Sequence, residues 1–112
     1  MATTYAILGQ AQAGTGATLL YTVPTTTSAV ISSVVFCNTT ATAATINLFC
    51  NKASTTNTAA TALVYQQTIP PYTTQTYTLG ITLTNSGTAD TLYVQSGTSI
   101  AITATVFGSQ IV

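Results

Sequence analysis

Side chains that commonly carry out catalysis are almost missing from this sequence. It has one lysine, Lys52, one aspartate, Asp90, and two cysteines, Cys37 and Cys50, but no histidine, glutamate or arginine. Hydrolysis by paired carboxylates needs two acidic residues, and a serine nucleophile needs a base to activate it. Two cysteines alone do not complete a structural zinc site. We therefore expect no enzymatic activity, and we assign no catalytic, cofactor-binding or metal-binding residues and no cofactor.

The same inventory limits the partners of the chain. Binding to nucleic acid through phosphate contacts requires several basic side chains, and only one is present. No apolar run approaches the roughly 18 residues that a membrane-spanning helix requires. Residues 1–5 contain no basic residue and lead into no long apolar segment, so we expect no signal peptide. We expect neither nucleic acid nor a membrane as a partner, and folding in a cytoplasm.

Both cysteines come at the end of an apolar run. If residues 39–42 formed a turn between paired strands, Cys37 would face a residue near Ala44 rather than Cys50. We therefore expect two buried free thiols in preference to a disulfide.

The scarcity of charge also affects the surface. Charged residues make up 2% of the chain, against roughly a quarter in an ordinary domain, and about one residue in four is threonine. A net charge of zero promotes association, and edge strands usually deter pairing with charged side chains, lysine above all. These features predict a homo-oligomer whose surface is largely covered by partners. The alternative is a monomer that hydroxyl and amide groups keep soluble.

Short apolar runs of strand length, separated by threonine, asparagine, glycine and proline, follow one another along the chain. Residues 1–16 are interpreted as an N-terminal arm or edge strand, with a possible strand at residues 5–8. Residues 17–112 form a single β-sandwich domain, with strands expected at 19–24, 28–38, 43–51, 62–69, 76–84, 91–95 and 100–106. A polar loop is expected over 52–61. The pattern predicts an all-β fold, an antiparallel β-sandwich of seven to eight strands, for which a jelly roll is one arrangement.

Alternation along these strands predicts which side chains face the core. The expected inward residues are Leu19, Tyr21, Val23, Ile46, Leu48, Cys50, Tyr77, Leu79, Ile81, Leu83, Leu92, Val94, Ile100, Ile102, Ala104 and Val106. The run 28–38 is apolar on both faces, with Val30, Val34 and Phe36 on one and Ile31, Val35 and Cys37 on the other. It therefore suits a central strand covered on both sides, within the sandwich or at a subunit contact.

Three further patterns have ordinary explanations. The triplet Asn38-Thr39-Thr40 fits the glycosylation pattern, but such triplets arise by chance in a threonine-rich chain. Threonine pairs such as 76/78, 82/84 and 103/105 resemble the faces of ice-binding proteins, yet they have no fixed repeat. Six tyrosines could form a sugar-stacking platform, although Tyr21 and Tyr77 fall on core-facing positions.

Four segments together resemble small virion structural proteins of tailed bacteriophages: LYTVP (20–24), VISSVV (30–35), CNT (37–39) and YTLGITL (77–83). The resemblance covers residues 17–107 and carries no catalytic residues. It implies a β-sandwich subunit, commonly trimeric, that acts as a capsid cement or decoration protein or is built into a neck, tail or baseplate. Such relatives are expected to carry more charge than this chain does.

Taken together, sequence and resemblance predict a structural virion protein of a tailed bacteriophage, in the first place a capsid cement or decoration protein. It would bridge subunits of the major capsid protein, or bind other virion proteins, in a virion assembled in the host cytoplasm. One alternative is a tail, neck, baseplate or fibre component, including one that contacts host surface glycans. Another is a secreted ice- or surface-binding module.

Overall fold

The structure, a computed structural model, describes residues 3–54 and 57–112, and strands are its main regular elements. Those residues form nine strands: β1 (Thr3–Gln12), β2 (Thr18–Thr22), β3 (Ser28–Asn38), β4 (Ala44–Asn51), β5 (Ala62–Ile69), β6 (Thr74–Tyr77), β7 (Ile81–Thr84), β8 (Thr91–Ser96) and β9 (Ile102–Ile111). The expected polar loop over 52–61 contains two short 3-10 segments, Lys52–Ser54 and Ala59–Thr61, while its residues 55 and 56 lie outside the described part. No helix in the described ranges has the length and apolar character needed to cross a membrane.

The strands pair in a nested order, in which strands from the start of the chain pair with strands from its end. β1 pairs with β9, β2 with β8, β3 with β6 and β7, and β4 with β5, all antiparallel. Two further pairings, β3 with β9 and β4 with β8, join these ribbons into two sheets. The first sheet has the order β1-β9-β3 followed by β6 and β7, and the second has the order β2-β8-β4-β5. This nested pairing is that of a jelly roll, so the predicted all-β sandwich is confirmed.

The strand count exceeds the predicted seven to eight because the segment expected as one strand over 76–84 is interrupted. β6 and β7 pair with successive parts of β3, and the chain departs from the sheet between them. At the break the N–H of Ile81 donates to the carbonyl of Leu79, which closes a tight local turn. The predicted apolar face survives the interruption, since Ile81 and Leu83 are buried and Tyr77 and Leu79 pack against the core.

The core lies between the two sheets and is assembled from alternate residues of the strands. Most of the predicted inward side chains are buried there. Ile46, Leu48, Leu92, Val94 and Val106 are completely inaccessible to solvent. Strand alternation was therefore sufficient to identify the core wherever a strand is regular.

Two predicted orientations are wrong because a β-bulge adds a residue to the strand. In β2 the extra residue is Leu20, which is buried while Leu19 is exposed. In β3 the extra residue is Ser32, so Ile31 rather than Val30 shares the inner face with Val34. A bulge places two residues opposite one on the neighbouring strand and reverses the alternation beyond it.

Ile100 was also expected inside, but its side chain is exposed. It precedes β9 in the turn after β8, and its φ of 52° lies in the left-handed region. β9 begins at Ile102, two residues after the predicted start of this strand, so Ile100 does not take part in its alternation.

Successive strands along the first half of the chain alternate between the sheets. β2 and β4 belong to the second sheet and β3 to the first, so the segment after Cys37 crosses the sandwich and does not turn back. Cys37 lies opposite Thr74 and Thr103, and the expected neighbour near Ala44 is wrong. Both cysteines are free thiols, as expected, but they are half-buried instead of buried.

Two glycines allow a neighbouring backbone to approach more closely than a side chain would permit. A Cβ on Gly9 would overlap the carbonyl oxygen of Leu20 in the other sheet, and one on Gly108 would overlap the carbonyl oxygen of Val30. Both glycines lie beside bulges, Gly9 where β1 approaches β2 and Gly108 where β9 approaches β3.

We predict that Gly9→Ala and Gly108→Ala each lower the free energy of unfolding by about 2 kcal/mol, because the clashing atoms are backbone and the strands must separate. Gly16→Ala and Gly80→Ala are matched controls, since nothing lies within 4 Å of a Cβ at either position. Urea unfolding followed by tyrosine fluorescence measures the four variants. Equal stabilities for the two pairs would contradict the close packing described here.

Candidate functional site

Asp90, one of the few reactive side chains, holds three segments together at one end of the sandwich. Its carboxylate accepts hydrogen bonds from the backbone N–H of Ala53 at 2.8 Å and of Thr84 at 3.0 Å. Its own carbonyl accepts from the N–H of Val23 at 3.3 Å. The carboxylate thus joins the β4–β5 connection to the end of β7 and the start of β8, which is a structural role.

Electrostatics around Asp90 favour its charged form. Burial raises the pKa of the carboxyl, but the hydrogen bonds from Ala53 and Thr84 and the positive charge of Lys52 outweigh that effect and hold it below its ordinary value. Lys52 and Asp90 are therefore near enough to interact, although they belong to different connections of the chain. Burial, and then the charge of Asp90, raise the pKa of the Cys50 thiol, which makes it a poor nucleophile.

Asn38 explains the glycosylation-like triplet. Its side chain is fully buried, and its amide nitrogen donates to the carbonyls of Thr42 at 2.9 Å and Ile69 at 3.0 Å. Its amide oxygen accepts from the backbone N–H and the hydroxyl of Thr40. Two donors and two acceptor positions are the full capacity of an asparagine side chain. Asn38 therefore fixes the crossing between the sheets and is not presented for modification.

Other singled-out side chains also have structural partners. Tyr21 is buried, as predicted, and its hydroxyl accepts a hydrogen bond from Gln110 at 2.8 Å. Tyr77 packs edge-to-face against Phe36, with ring centres 5.6 Å apart. In the threonine pair 82/84, the Thr84 backbone and hydroxyl are directed to Asp90. No group of three metal-ligating side chains occurs within residues 3–54 and 57–112.

The remaining candidates for function are the outer faces of the two sheets. On the first sheet, Tyr5 and Ile7 of β1, Val30 of β3 and Phe107 of β9 form a surface that we call the apolar face. Register explains their grouping, since Tyr5 and Val30 both lie opposite Ser109, and Ile7 lies opposite Phe107. The exposed fractions of Tyr5 and Ile7 are 81% and 61%. A groove of about 520 Å³ runs between these side chains, and no charged residue lines it.

The outer face of the second sheet has the opposite character. Thr45 and Asn47 of β4, Tyr65 and Gln66 of β5 and Gln95 of β8 surround a polar depression of about 570 Å³, which we call the amide groove. It too is lined by no charged side chain. Its residues come from β4, β5 and β8, and the pairing of these strands is not evident from the sequence, so the groove was not predicted.

Comparisons with known proteins show a similar fold but identify no family for this chain. No family model and no curated protein matches the chain. A chain from the structure of infectious bursal disease virus, Gx strain, is similar, with a TM-score of 0.50 and 16% sequence identity. The match covers 97% of this chain and 30% of that chain, so this chain spans less than a third of the viral chain's length. At this identity the likeness shows a shared β-sandwich fold.

We predict that Asn38→Asp lowers the free energy of unfolding by about 3 kcal/mol, because a carboxylate oxygen would replace the nitrogen that faces two carbonyl oxygens. Gln67→Glu, an amide-to-acid change on exposed β5, is the control and is expected to change stability by less than about 0.5 kcal/mol. Urea unfolding compares them. Similar effects of the two substitutions would show that the Asn38 network does not stabilise the fold.

Acid is predicted to destabilise the protein through Asp90. Because the folded-state pKa lies below the unfolded value, this stabilisation is present above about pH 4 and is lost as the pH falls through the lower folded-state pKa. Asp90→Asn should cost about 2 kcal/mol at neutral pH and remove that acid dependence. Urea midpoints from pH 7 downward measure both effects. Parallel loss of stability in the two proteins would contradict this role for the only acidic side chain in the sequence.

Proposed function

We propose that this chain is a structural virion protein of a tailed bacteriophage, placed on the capsid as a cement or decoration protein. It acts without catalysis, forms a homo-oligomer with a trimer favoured, and bridges subunits of the major capsid protein. It is assembled into the virion in the host cytoplasm. Neither nucleic acid nor a membrane is among its proposed partners.

The observation that carries this proposal is the apolar face. Tyr5 and Ile7 expose large side chains on β1, an edge strand that contains no charged residue, and Val30 is exposed on the same face of the sheet, two strands away. Such a surface gains roughly 25 cal/mol for each Å² removed from water, before the cost of association is subtracted. An uncovered edge strand without charges also invites pairing. Burial of the apolar surface and pairing of the edge strand both favour a neighbouring protein subunit over a small ligand.

The fold and the phage-like sequence segments support the same proposal. Residues 20–24 cover the end of β2 and the two residues after it. Residues 30–35 lie in β3, and residues 77–83 span the junction of β6 and β7. These segments therefore belong to the framework of the sandwich, where a shared architecture would preserve them. The similar chain in the infectious bursal disease virus structure shows that a virus uses a comparable fold.

A second placement is in the tail, neck, baseplate or fibre of the same kind of particle. The amide groove supports this second placement. It is a polar depression on the other sheet, so it would remain accessible to a further partner after the apolar face had docked. Copy number separates the two placements. Quantitative mass spectrometry of purified particles gives a ratio close to that of the shell subunit for a capsid protein, and close to that of tail or neck proteins otherwise.

Attachment to the particle is predicted to be insensitive to salt. Particles made without the protein are incubated with purified chain and sedimented at about 0.1 M and about 1 M salt, a range over which the Debye length shrinks from about 10 Å to 3 Å. The wild-type protein should sediment equally in both. Ile7→Ser should weaken attachment about tenfold or more, because it removes one exposed side chain from the buried contact.

Leu63→Ser is the matched control, since Leu63 is an exposed aliphatic residue on β5 of the other sheet. It should attach like the wild type. Release of the wild-type protein at high salt, or equal weakening by both substitutions, would overturn the proposed apolar docking.

A further inference from the structure

The amide groove is shaped by an irregularity in β5. Ile46 lies opposite Gln67 and Leu48 lies opposite Val64, so Tyr65 and Gln66 together oppose the single residue Asn47. Gln66 has a φ of 50°, in the left-handed region that residues other than glycine seldom adopt. The bulge directs two consecutive side chains outward, since both are exposed. A strained bulge beside a depression is a common feature of binding sites.

Hydrogen bonds fix the side-chain amides along the groove. The backbone N–H of Gln66 donates to the Asn47 side-chain oxygen, at 2.6 Å. The Asn47 amide nitrogen donates to the Gln95 side-chain oxygen at 3.2 Å, and the Gln95 amide nitrogen donates to the carbonyl of Thr15 at 2.8 Å. The chain of bonds therefore runs across β5, β4 and β8 to the connection before β2. It sets the orientation of both amides before any ligand arrives.

Each amide in this relay has hydrogen-bonding capacity left over. An asparagine or glutamine side chain offers two N–H donors and two acceptor positions. In the bonds above, Asn47 and Gln95 each use one donor and one acceptor. The groove therefore presents a row of oriented donors and acceptors next to the Tyr65 ring, which is 53% exposed.

We propose that the amide groove binds a neutral saccharide. Its pyranose ring would lie against Tyr65, while its hydroxyl groups exchange hydrogen bonds with Asn47 and Gln95. Sugar hydroxyls both donate and accept, as the amides do, and the apolar face of a pyranose matches an aromatic ring. The absence of charged lining residues argues for a neutral sugar, because a charged one would be desolvated without a counter-charge. The groove volume lies within the range of small-molecule sites.

This inference is independent of where the chain sits in a particle, since the groove and the apolar face lie on different sheets. The test uses the isolated, isotope-labelled full chain and follows its amide resonances by NMR. The probes are lactose, cellobiose and diacetylchitobiose, with sialyllactose as the charged comparison. At least one neutral disaccharide should bind with millimolar affinity and shift the side-chain amide resonances of Asn47 and Gln95.

Tyr65→Ala should weaken that binding about tenfold, whereas Tyr65→Phe should retain it, because the ring and not the hydroxyl makes the proposed contact. Tyr72→Ala, which removes another exposed tyrosine that lies outside the groove, is the matched control and should bind like the wild type. The inference is overturned by no shift with any probe up to about 50 mM. It is also overturned by shifts outside the groove, by equal losses in the two alanine variants, or by tighter binding of sialyllactose than of lactose.

Discussion

The buried polar groups of this protein depend mainly on neutral partners, because the sequence offers two charged side chains. Asn38 meets this demand by using all four of its hydrogen-bonding positions to join the turn after β3 to the end of β5. Asp90, the one negatively charged side chain, lies where three backbone segments meet. The Asn38 amide thus links the connecting segments at one end of the sandwich, and the Asp90 carboxylate links those at the other end.

Bulges then decide what the outer faces present. In the first sheet, the extra residue Ser32 lines the groove of the apolar face, and its hydroxyl donates a hydrogen bond to the carbonyl of Phe107 at 3.1 Å. In the second sheet, the bulge at Tyr65 and Gln66 opens the amide groove. One jelly roll therefore carries an apolar outer surface and a polar one, without a charged residue lining either. The first is suited to a protein neighbour and the second to a ligand rich in hydroxyl groups.

The sequence was informative where local alternation decides the outcome. It predicted an all-β sandwich and the inward side chains of regular strands such as β8, with Leu92 and Val94 completely buried. It was wrong at Leu19 and Val30, because a bulge reverses the alternation and no residue type in these segments marks its position. The sequence also did not show which strands pair with one another, since the alternation of apolar and polar residues is the same in either sheet. The apolar character of both faces of β3 did indicate an apolar outer surface, whereas the amide groove required knowledge of long-range pairing.

The proposed role of this protein requires that it associate through surfaces that carry no charge. Sedimentation equilibrium of the purified chain, over a range of concentrations at low and high salt, tests this claim most directly. We expect reversible oligomers whose dissociation constant is the same at both salt concentrations, because burial of apolar surface is not screened by ions. A protein that stays monomeric at its highest attainable concentration, or oligomers that separate in high salt, would contradict it.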